Sequence, residues 1–443
     1  MSRKMKESGI TAVGTYPLDW QCVRIKFLFE NGVIKSGPYG STLKNITVMN
    51  GEYPIYNQAN VISNDFMLRR NYIDKDNFEK MSRYQIASDD VVFSMMGTVG
   101  KCSIVPKDID AGIIDSHLFE AKLNTEKIDP SFFCYAYDKD NCSLVLEQFI
   151  EAMNGSIMNG LNGSLIKNAF ICLPSLPEQH AIVSFLDRKC SAIDTAIAKT
   201  KESIEKLEEY KKTVITKAVT KGLDPDAKMK DSGIEWIGEV PENWEVEPIK
   251  YLFRILKRIA GKEGYDVISI TQKGLRIRDV SNNEGQVAES YAKYQFVYPG
   301  DFAMNHMDLL TGGVGLSDLF GVTSPDYRVF RRISEKSNNK YYEYVFRSCY
   351  WNKIFYGMAM GIAEVGRKRL QAPVFLNIKF PAPPTDEQAR IAKYLDHKCS
   401  AIDALIAKKQ TAIEKWEEYK KSLIYYAVTG KIDCRTETTE GIG

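Results

Sequence analysis

Histidine is scarce in this chain. His117, His180, His306 and His397 are its 4 histidines, and none is paired at the spacing two ligands on one helix face need, so no metal centre is expected. The 9 cysteines include no C-x-x-C pair, which removes zinc-ribbon and dithiol redox readings and leaves reduced, free thiols as the expectation. No apolar run approaches the roughly 18 residues of a membrane span, and no charged-then-apolar leader opens the chain, so neither insertion nor secretion is expected. No G-x-S-x-G elbow anchors a serine nucleophile. Gly97-Thr98-Val99-Gly100-Lys101 is not a phosphate loop, because Met95 stands where that loop needs its first glycine and Cys102 where it needs Ser or Thr. Asp129-Pro130-Ser131-Phe132 lacks the second proline of the amino-methyltransferase signature and is read as a capped helix start. No catalytic motif is visible.

Charge is nearly balanced. The 443 residues carry a formal net charge of +2, which does not announce a polyanion partner. The balance is uneven along the chain: residues 20–177 sum to roughly −3 and residues 245–379 to roughly +6. An apolar content of 44% suits buried cores in two or three domains.

What is present is duplication. Glu178 to Thr220 returns without a gap as Glu387 to Thr429, with roughly 26 of 43 positions identical. A shorter repeat, Met5-Lys6-Glu7-Ser8-Gly9-Ile10 with Gly14, Pro17, Trp20 and Ile25-Lys26, returns as Met229-Lys230-Asp231-Ser232-Gly233-Ile234 with Gly238, Pro241, Trp244 and Ile249-Lys250. The second copy of this motif follows a helical unit, whereas the first stands at the beginning of the sequence. Equivalent surroundings for both copies require the last helix to end near the N-terminus, which implies pseudo-two-fold symmetry within one chain.

The long repeats have helical periodicity. Ile193, Ile197, Thr200, Ile204, Leu207, Lys211, Val214 and Ala218 follow alternating steps of four and three, as do Ile402, Ile406, Lys409, Ile413, Trp416, Lys420, Leu423 and Ala427. That period describes a left-handed seam presented to another helix. Pro174 and Pro177 precede the first helix, Pro383 and Pro384 the second, and Gly222 and Gly430 stand where each should stop. About 40 residues give about 60 Å of helix. Neither can bury its stripe alone, so antiparallel packing of the two is expected. Cys190 and Cys399 hold equivalent positions and are read as small buried residues.

The regions between are mixed α/β. Val91–Ser94, Cys102–Val105, Val267–Ile270 and Tyr327–Phe330 read as short strands. The expected divisions are an N-terminal segment 1–19 completing the ring, a first globular domain 20–176, a helical region 177–222, a linker 223–245, a second globular domain 246–380, a second helical region 381–430 and a polar tail 431–443.

Glu-Gln opening a long helix, the Ile-Asp…Ile-Glu-Lys…Glu-Glu-Tyr-Lys-Lys core, and Ser-Gly-Ile with a following Gly, Pro and Trp heading each globular part resemble the specificity subunit of type I restriction-modification systems. The likeness covers nearly the whole chain. It implies two α/β target-recognition domains joined by two long antiparallel coiled-coil-like helices in a pseudo-two-fold circular arrangement. It further implies a noncatalytic reader of a bipartite, asymmetric double-stranded DNA target, working in a prokaryotic cytoplasm. Two modification (methyltransferase) subunits would dock on the helices, and restriction/translocase subunits would join through them. S-adenosylmethionine, ATP and Mg are then expected on those partners and no cofactor on this chain. A coiled-coil scaffold would explain the helices but not two divergent globular parts, and a self-sufficient methyltransferase would need the missing cofactor motifs.

A reader combines phosphate contacts for position with base contacts for sequence. Candidates in the first domain are Asn57, Gln58, Asn60, Ser94, Thr98, Asn154, Ser156, Asn159 and Asn162 for bases, with Lys101 for a phosphate. In the second domain, Thr271, Gln272, Lys273, Arg276 and Arg278 form one basic loop and Arg367, Lys368 and Arg369 another.

Overall fold

The computed structural model describes residues 3–68, 71–96, 98–153, 161–279, 289–359 and 369–435. The chain divides into two compact units, Met1–Thr200 with Gln410–Gly443, and Lys201–Lys409. Two long helices, Leu176–Lys221 and Thr385–Val428, each contribute a part to both units. No helix among the described residues is long and apolar enough to cross a membrane.

In the first unit an N-terminal hairpin, Met5–Glu7 with Thr15–Pro17, leads to the buried Trp20. The strand that enters the globular domain, Gln21–Arg24, pairs antiparallel with the strand that leaves it, Phe170–Leu173. Inside is an antiparallel four-stranded sheet in the order Lys35–Ser36, Leu118–Ala121, Val91–Ser94, Cys102–Ile104. Its continuous apolar run Val91-Val92-Phe93 is fully buried, as expected of a central strand covered on both faces. Phe93 packs on Tyr137 at 4.8 Å and on Phe133 at 6.0 Å between ring centroids. Both partners lie on the helix Pro130–Tyr137, which starts as its sequence suggests: Asp129 accepts the Phe132 amide at 2.9 Å, with Pro130 at the first helical position.

The second unit repeats this plan with other side chains. The hairpin Met229–Asp231 with Glu239–Pro241 leads to buried Trp244, and the entering strand Glu245–Pro248 pairs with the leaving strand Lys379–Ala382. The sheet order is Phe253–Leu256, Arg328–Arg332, Asp301–Met304, Val314–Leu316. Phe253, Phe302, Phe330 and Phe346 fill its core at mutual ring distances of 5.0 to 5.8 Å. The expected strands are there, but the inserts differ. The first domain adds a three-stranded piece in which Tyr53–Tyr56 runs parallel to Ile113–Ile114; the second adds an antiparallel hairpin, Ile268–Thr271 with Gly274–Ile277.

The duplicated Glu-Gln pair fastens each domain to a helix start. Gln179 is fully buried; its Nε2 donates to the Lys127 and Pro174 carbonyls at 2.9 and 3.0 Å, and its Oε1 accepts the Asp129 amide at 2.7 Å. Gln388 does the same in the second unit with Lys336, Pro383 and Asn338. A buried amide fully used in this way avoids the cost of an unpaired polar group. Tyr135 donates to Asp187 at 2.6 Å, and its counterpart Tyr344 donates to Asp396 at 2.7 Å; burial and the neighbouring carboxylate push both phenols above their ordinary range.

Within each unit the helix segments run antiparallel. In the first, Glu178 neighbours Arg435, while Asp194 pairs with Lys420 at 2.7 Å. In the second, Lys211 pairs with Asp403 at 2.7 Å, and Gly222 abuts Glu387. Ile193, Ile197, Ile413 and Leu423 are buried in the first unit and Ile402 in the second; Ile204, Leu207, Val214 and Ile406 are half-buried. Trp416 departs from the expected seam. Its indole is 41% exposed and meets Tyr419 edge-on at 6.0 Å, one helical turn away, so the large ring sits outside the groove its apolarity suggested.

Both helices stop as expected at glycines with positive φ, 76° at Gly222 and 70° at Gly430. An added Cβ on Gly430 would lie 2.3 Å from Pro17 and 3.0 Å from Trp20, and one on Gly222 would lie 3.2 Å from Trp244. Tyr425 donates to the Ala12 carbonyl at 3.3 Å. The end of the last helix therefore meets the N-terminal segment within the first unit. Cys190 and Cys399 are free thiols and buried, as read from the sequence.

Candidate nucleic-acid interface

Loops gather at one end of each four-stranded sheet. In the first domain the Gly37 amide bonds to the Leu118 carbonyl at 3.1 Å, Met95 to His117 at 3.0 Å, and Leu161 to Met95 at 2.7 Å. Gln58 reaches the His117 carbonyl at 3.5 Å. Residues 37–40, 58, 95–96, 98, 115–117 and 161–162 thus share one surface. Gly37 must be glycine, since a Cβ there would sit 1.8 Å from the Asp115 carbonyl oxygen. Tyr39, next in this loop after Pro38, is 85% exposed. Tyr39, Ser116 and His117 are members of this surface that the polar-near-glycine criterion missed; an aromatic set between Pro38 and Gly40 was the available signal.

Several first-domain candidates are reassigned. Asn60 is 1% exposed; its Nδ2 donates to the Asp65 and Leu68 carbonyls and its Oδ1 accepts the Asn57 amide, so its whole amide holds a loop. Asn57 caps the same short helix, accepting the Ala59 amide at 2.9 Å. Ser94 lies fully buried in its strand. Lys101 does not offer a free ammonium: it is paired with Asp138 at 3.1 Å and Asp140 at 3.0 Å. Burial opposes that charge, but the two carboxylates more than offset it and raise the Lys101 pKa. Gln58, Thr98 and Asn162 remain at the surface just described, Asn162 also capping a helix by accepting the Leu165 amide at 3.0 Å. Asn154, Ser156 and Asn159 lie outside the described residues.

In the second domain the expected basic loop is a β-hairpin with Gln272 and Lys273 at its turn. Thr271 Oγ1 donates to the Gly274 carbonyl at 2.9 Å and accepts the Lys273 amide at 3.2 Å, tying the turn shut rather than facing a ligand. Gln272, Lys273 and Arg276 are exposed, and Arg278 is half-buried beyond them. The turn lies on the loop that follows Asp301–Met304: Gln272 Nε2 reaches the Thr311 carbonyl at 3.4 Å, and a Cβ on Gly313 would be 2.2 Å from the Thr271 oxygen. Asp308 shapes that loop by accepting the Leu310 and Thr311 amides at 3.1 and 2.9 Å. Burial would raise its carboxyl, but these bonds and the Thr311 hydroxyl hold it below the usual range.

His306 lies in the same loop. Burial first, then the charges of Arg328 and Arg369, push its imidazole down to about 4, and its Nδ1 is buried without a partner. Arg328 is buried, donating to the Leu370 carbonyl at 2.7 Å over the Phe375 ring. Arg258 and Arg331 clasp buried Asp301. Part of the positive excess of this domain is therefore internal. Arg369 is exposed beside His306, while Arg367 and Lys368 lie outside the described residues. Among the described residues no group of three or more His, Cys, Asp or Glu is placed to hold a metal.

Two sheets of one topology thus present different loop chemistry at the same end: Tyr, Gln, Ser and His in one, a cationic two-stranded ribbon in the other. A ribbon of this kind fits the major groove of B-DNA, and exposed amides and cations are the groups that contact base edges and phosphates there.

Comparison with known proteins shows the family and the fold. The profile of a family described as type I restriction modification DNA specificity domain matches residues 17–209 and 241–415. A Methanocaldococcus jannaschii protein named as the MjaX specificity subunit of a type I restriction enzyme is 26% identical over 447 residues, covering 96% of each chain. The MjaVIII specificity subunit from the same organism is 27% identical over 340 residues, 72% of this chain and 74% of that one. The fold is similar to a chain solved in work on complex assembly and conformational transition of the type I R-M system, with a TM-score of 0.67 at 15% identity over 94% of this chain and 99% of that one. It is also similar to the HsdS subunit from Thermoanaerobacter tengcongensis, with a TM-score of 0.52 at 16% identity over 96% of this chain and 100% of that one. This chain belongs to the DNA specificity subunits of type I restriction-modification systems.

Proposed function

We propose that this specificity subunit is noncatalytic and reads a bipartite, asymmetric DNA target, one half with each globular domain. It brings two modification subunits, docked on its long helices, to adenines within that target. The observation that carries this reading is the repetition of one sheet framework with unlike loop surfaces: the same scaffold built twice, with different groups where a base edge would lie. S-adenosylmethionine belongs to the modification subunits, ATP and Mg to restriction and translocase subunits that join through them, and the complex works in a prokaryotic cytoplasm. Each long helix is continuous through both units, so the unread gap between half-sites is set by helix length.

Domain exchange tests this. When residues 20–176 are replaced by the first domain of a relative with another target, methylation by the assembled complex should change in one half of the motif and keep the other half and the gap. A change in both halves would contradict separate readers. Methylation by this chain without a modification subunit would contradict the noncatalytic assignment.

A further inference from the structure

Beside the hairpin turn the second unit contains a cationic recess. It is a cavity of about 150 Å³ whose lining includes Lys212 of the first long helix, Gln272 of the hairpin turn, the consecutive Gly312 and Gly313, Arg347 and Lys353. No carboxylate is among its lining residues. Two carboxylates lie close by: Asp308 accepts the amide of the lining residue Gly312, and Glu343, one turn before Arg347 on the helix Asn339–Trp351, is shared between Arg347 at 2.9 Å and Lys340 at 3.2 Å.

Three features distinguish this recess from ordinary surface basicity. First, its cations come from separate elements, so no single helix face or charge run explains their convergence. Second, Arg347 is held in place: Nη2 donates to the Lys273 carbonyl at 3.4 Å under the hairpin turn, while its Nε is buried with no partner. A buried guanidinium donor without an acceptor is costly unless a ligand completes it. Third, Lys353 has φ 57° and ψ 22°, a left-handed conformation that a lysine adopts at a cost. Among the described residues neither Lys212 nor Lys353 takes part in a salt bridge.

The first unit has other chemistry at the position equivalent to Arg347. Arg347 stands three residues after Tyr344, and Asp138 stands three after Tyr135, the two tyrosines making equivalent bonds to Asp396 and Asp187. At the Asp138 position the first domain has a closed ion pair with Lys101. The charge there is neutralised internally.

We propose that the recess of Lys212, Arg347 and Lys353 seats one phosphate of duplex DNA beside the hairpin turn, anchoring the second half-site without reading its sequence. The inference rests on the DNA-reading function above and adds the residues that fix register on the backbone. Lys212 and Lys353 supply point charges and Arg347 the directed donor.

The test uses the chain assembled with its modification subunits. Lys212→Ala, Lys353→Ala and the double variant are titrated with a duplex carrying the methylated motif and one lacking it, across a salt series. The double variant should bind both duplexes about tenfold more weakly and flatten the salt slope by about 0.9, the value for one neutralised phosphate, with the methylated motif unchanged. Lysine-to-arginine versions should restore most of the affinity. Unaltered affinity and slope in the double variant, with normal selective binding by the unsubstituted complex, would overturn the phosphate seat alone. Failure of the unsubstituted complex to prefer its motif would overturn the reading beneath it as well. Impaired assembly with an unchanged salt slope in the complexes that do form would assign the recess to an acidic protein surface and overturn the proposal.

Discussion

The side-chain oxygen of Gln179 accepts the Asp129 amide at 2.7 Å, locking the first turn of one helix to the cap of another. Asp129 in turn caps the helix that packs under Phe93. A single buried amide therefore connects the long helix to the core of the globular domain, and Gln388 makes the same connection through Asn338. Replacing Gln179 with Ala strands two carbonyls and one amide, whereas replacing Gln388 strands the Pro383 carbonyl and the Asn338 amide, because Thr385 Oγ1 still donates to the Lys336 carbonyl at 3.2 Å. Gln179→Ala should lose about 3 kcal/mol of stability and Gln388→Ala about 2 kcal/mol, at about 1 kcal/mol per unpaired group. Urea denaturation followed by fluorescence measures it, and a loss below about 1 kcal/mol would show that water replaces the amide.

His306 makes stability depend on pH. Its imidazole is held near 4, below the ordinary value of 6.5, by burial and by the charges of Arg328 and Arg369. The folded state therefore binds fewer protons than the unfolded state between these values. Stability is fully present above about pH 6.5 and is lost as the pH falls toward 4. Because the ring is partly reached by solvent, the loss should not exceed about 2 kcal/mol. Denaturation midpoints at pH 7 and pH 5 should converge in His306→Gln relative to the unsubstituted protein. An equal pH response in both would remove His306 as the cause.

Tyr39 tests the first reading surface. At 85% exposed it contributes little to the core, so Tyr39→Ala should leave stability within about 0.5 kcal/mol. Binding to the motif duplex should weaken about tenfold, with no comparable change on duplexes altered in the half it reads. Equal weakening on all duplexes would make Tyr39 a backbone contact, and unchanged binding would place the reading surface elsewhere.

Much of the frame was legible because its signals are local or repeated. The duplicated Glu178–Thr220 segment, its seam and the stops at Gly222 and Gly430 need no distant partner to be recognised. Val91–Ser94 and Tyr327–Phe330 were legible as short β-like runs, and the second is observed as the strand Arg328–Arg332. The reading surface was less legible. Lys101 looks available in sequence, but its partner Asp138 is brought to it only by the fold, and Asn60 resembles a base-reading amide until the Asp65 and Leu68 carbonyls close on it. Trp416 follows the seam period, yet a ring of its size stays outside the groove that half-buries Leu207. Periodicity specifies direction from a helix axis, not the room available there.

Helix length should set the unread gap. Seven residues inserted after both Thr200 and Lys409 keep the seam period and lengthen each helix by about 10 Å, or about three base pairs of duplex. Methylation by the assembled variant should then fall on the same two half-sites separated by about three more base pairs. An unchanged gap, with methylation retained, would refute the role of the helices as spacer.

The most direct test of two unlike readers acting together is the adenine methylation pattern of a host genome, mapped with and without this gene. The pattern that depends on the gene should be a single motif of two dissimilar halves separated by a gap of fixed length and free sequence. A continuous motif, or one whose halves are inverted copies of each other, would contradict it.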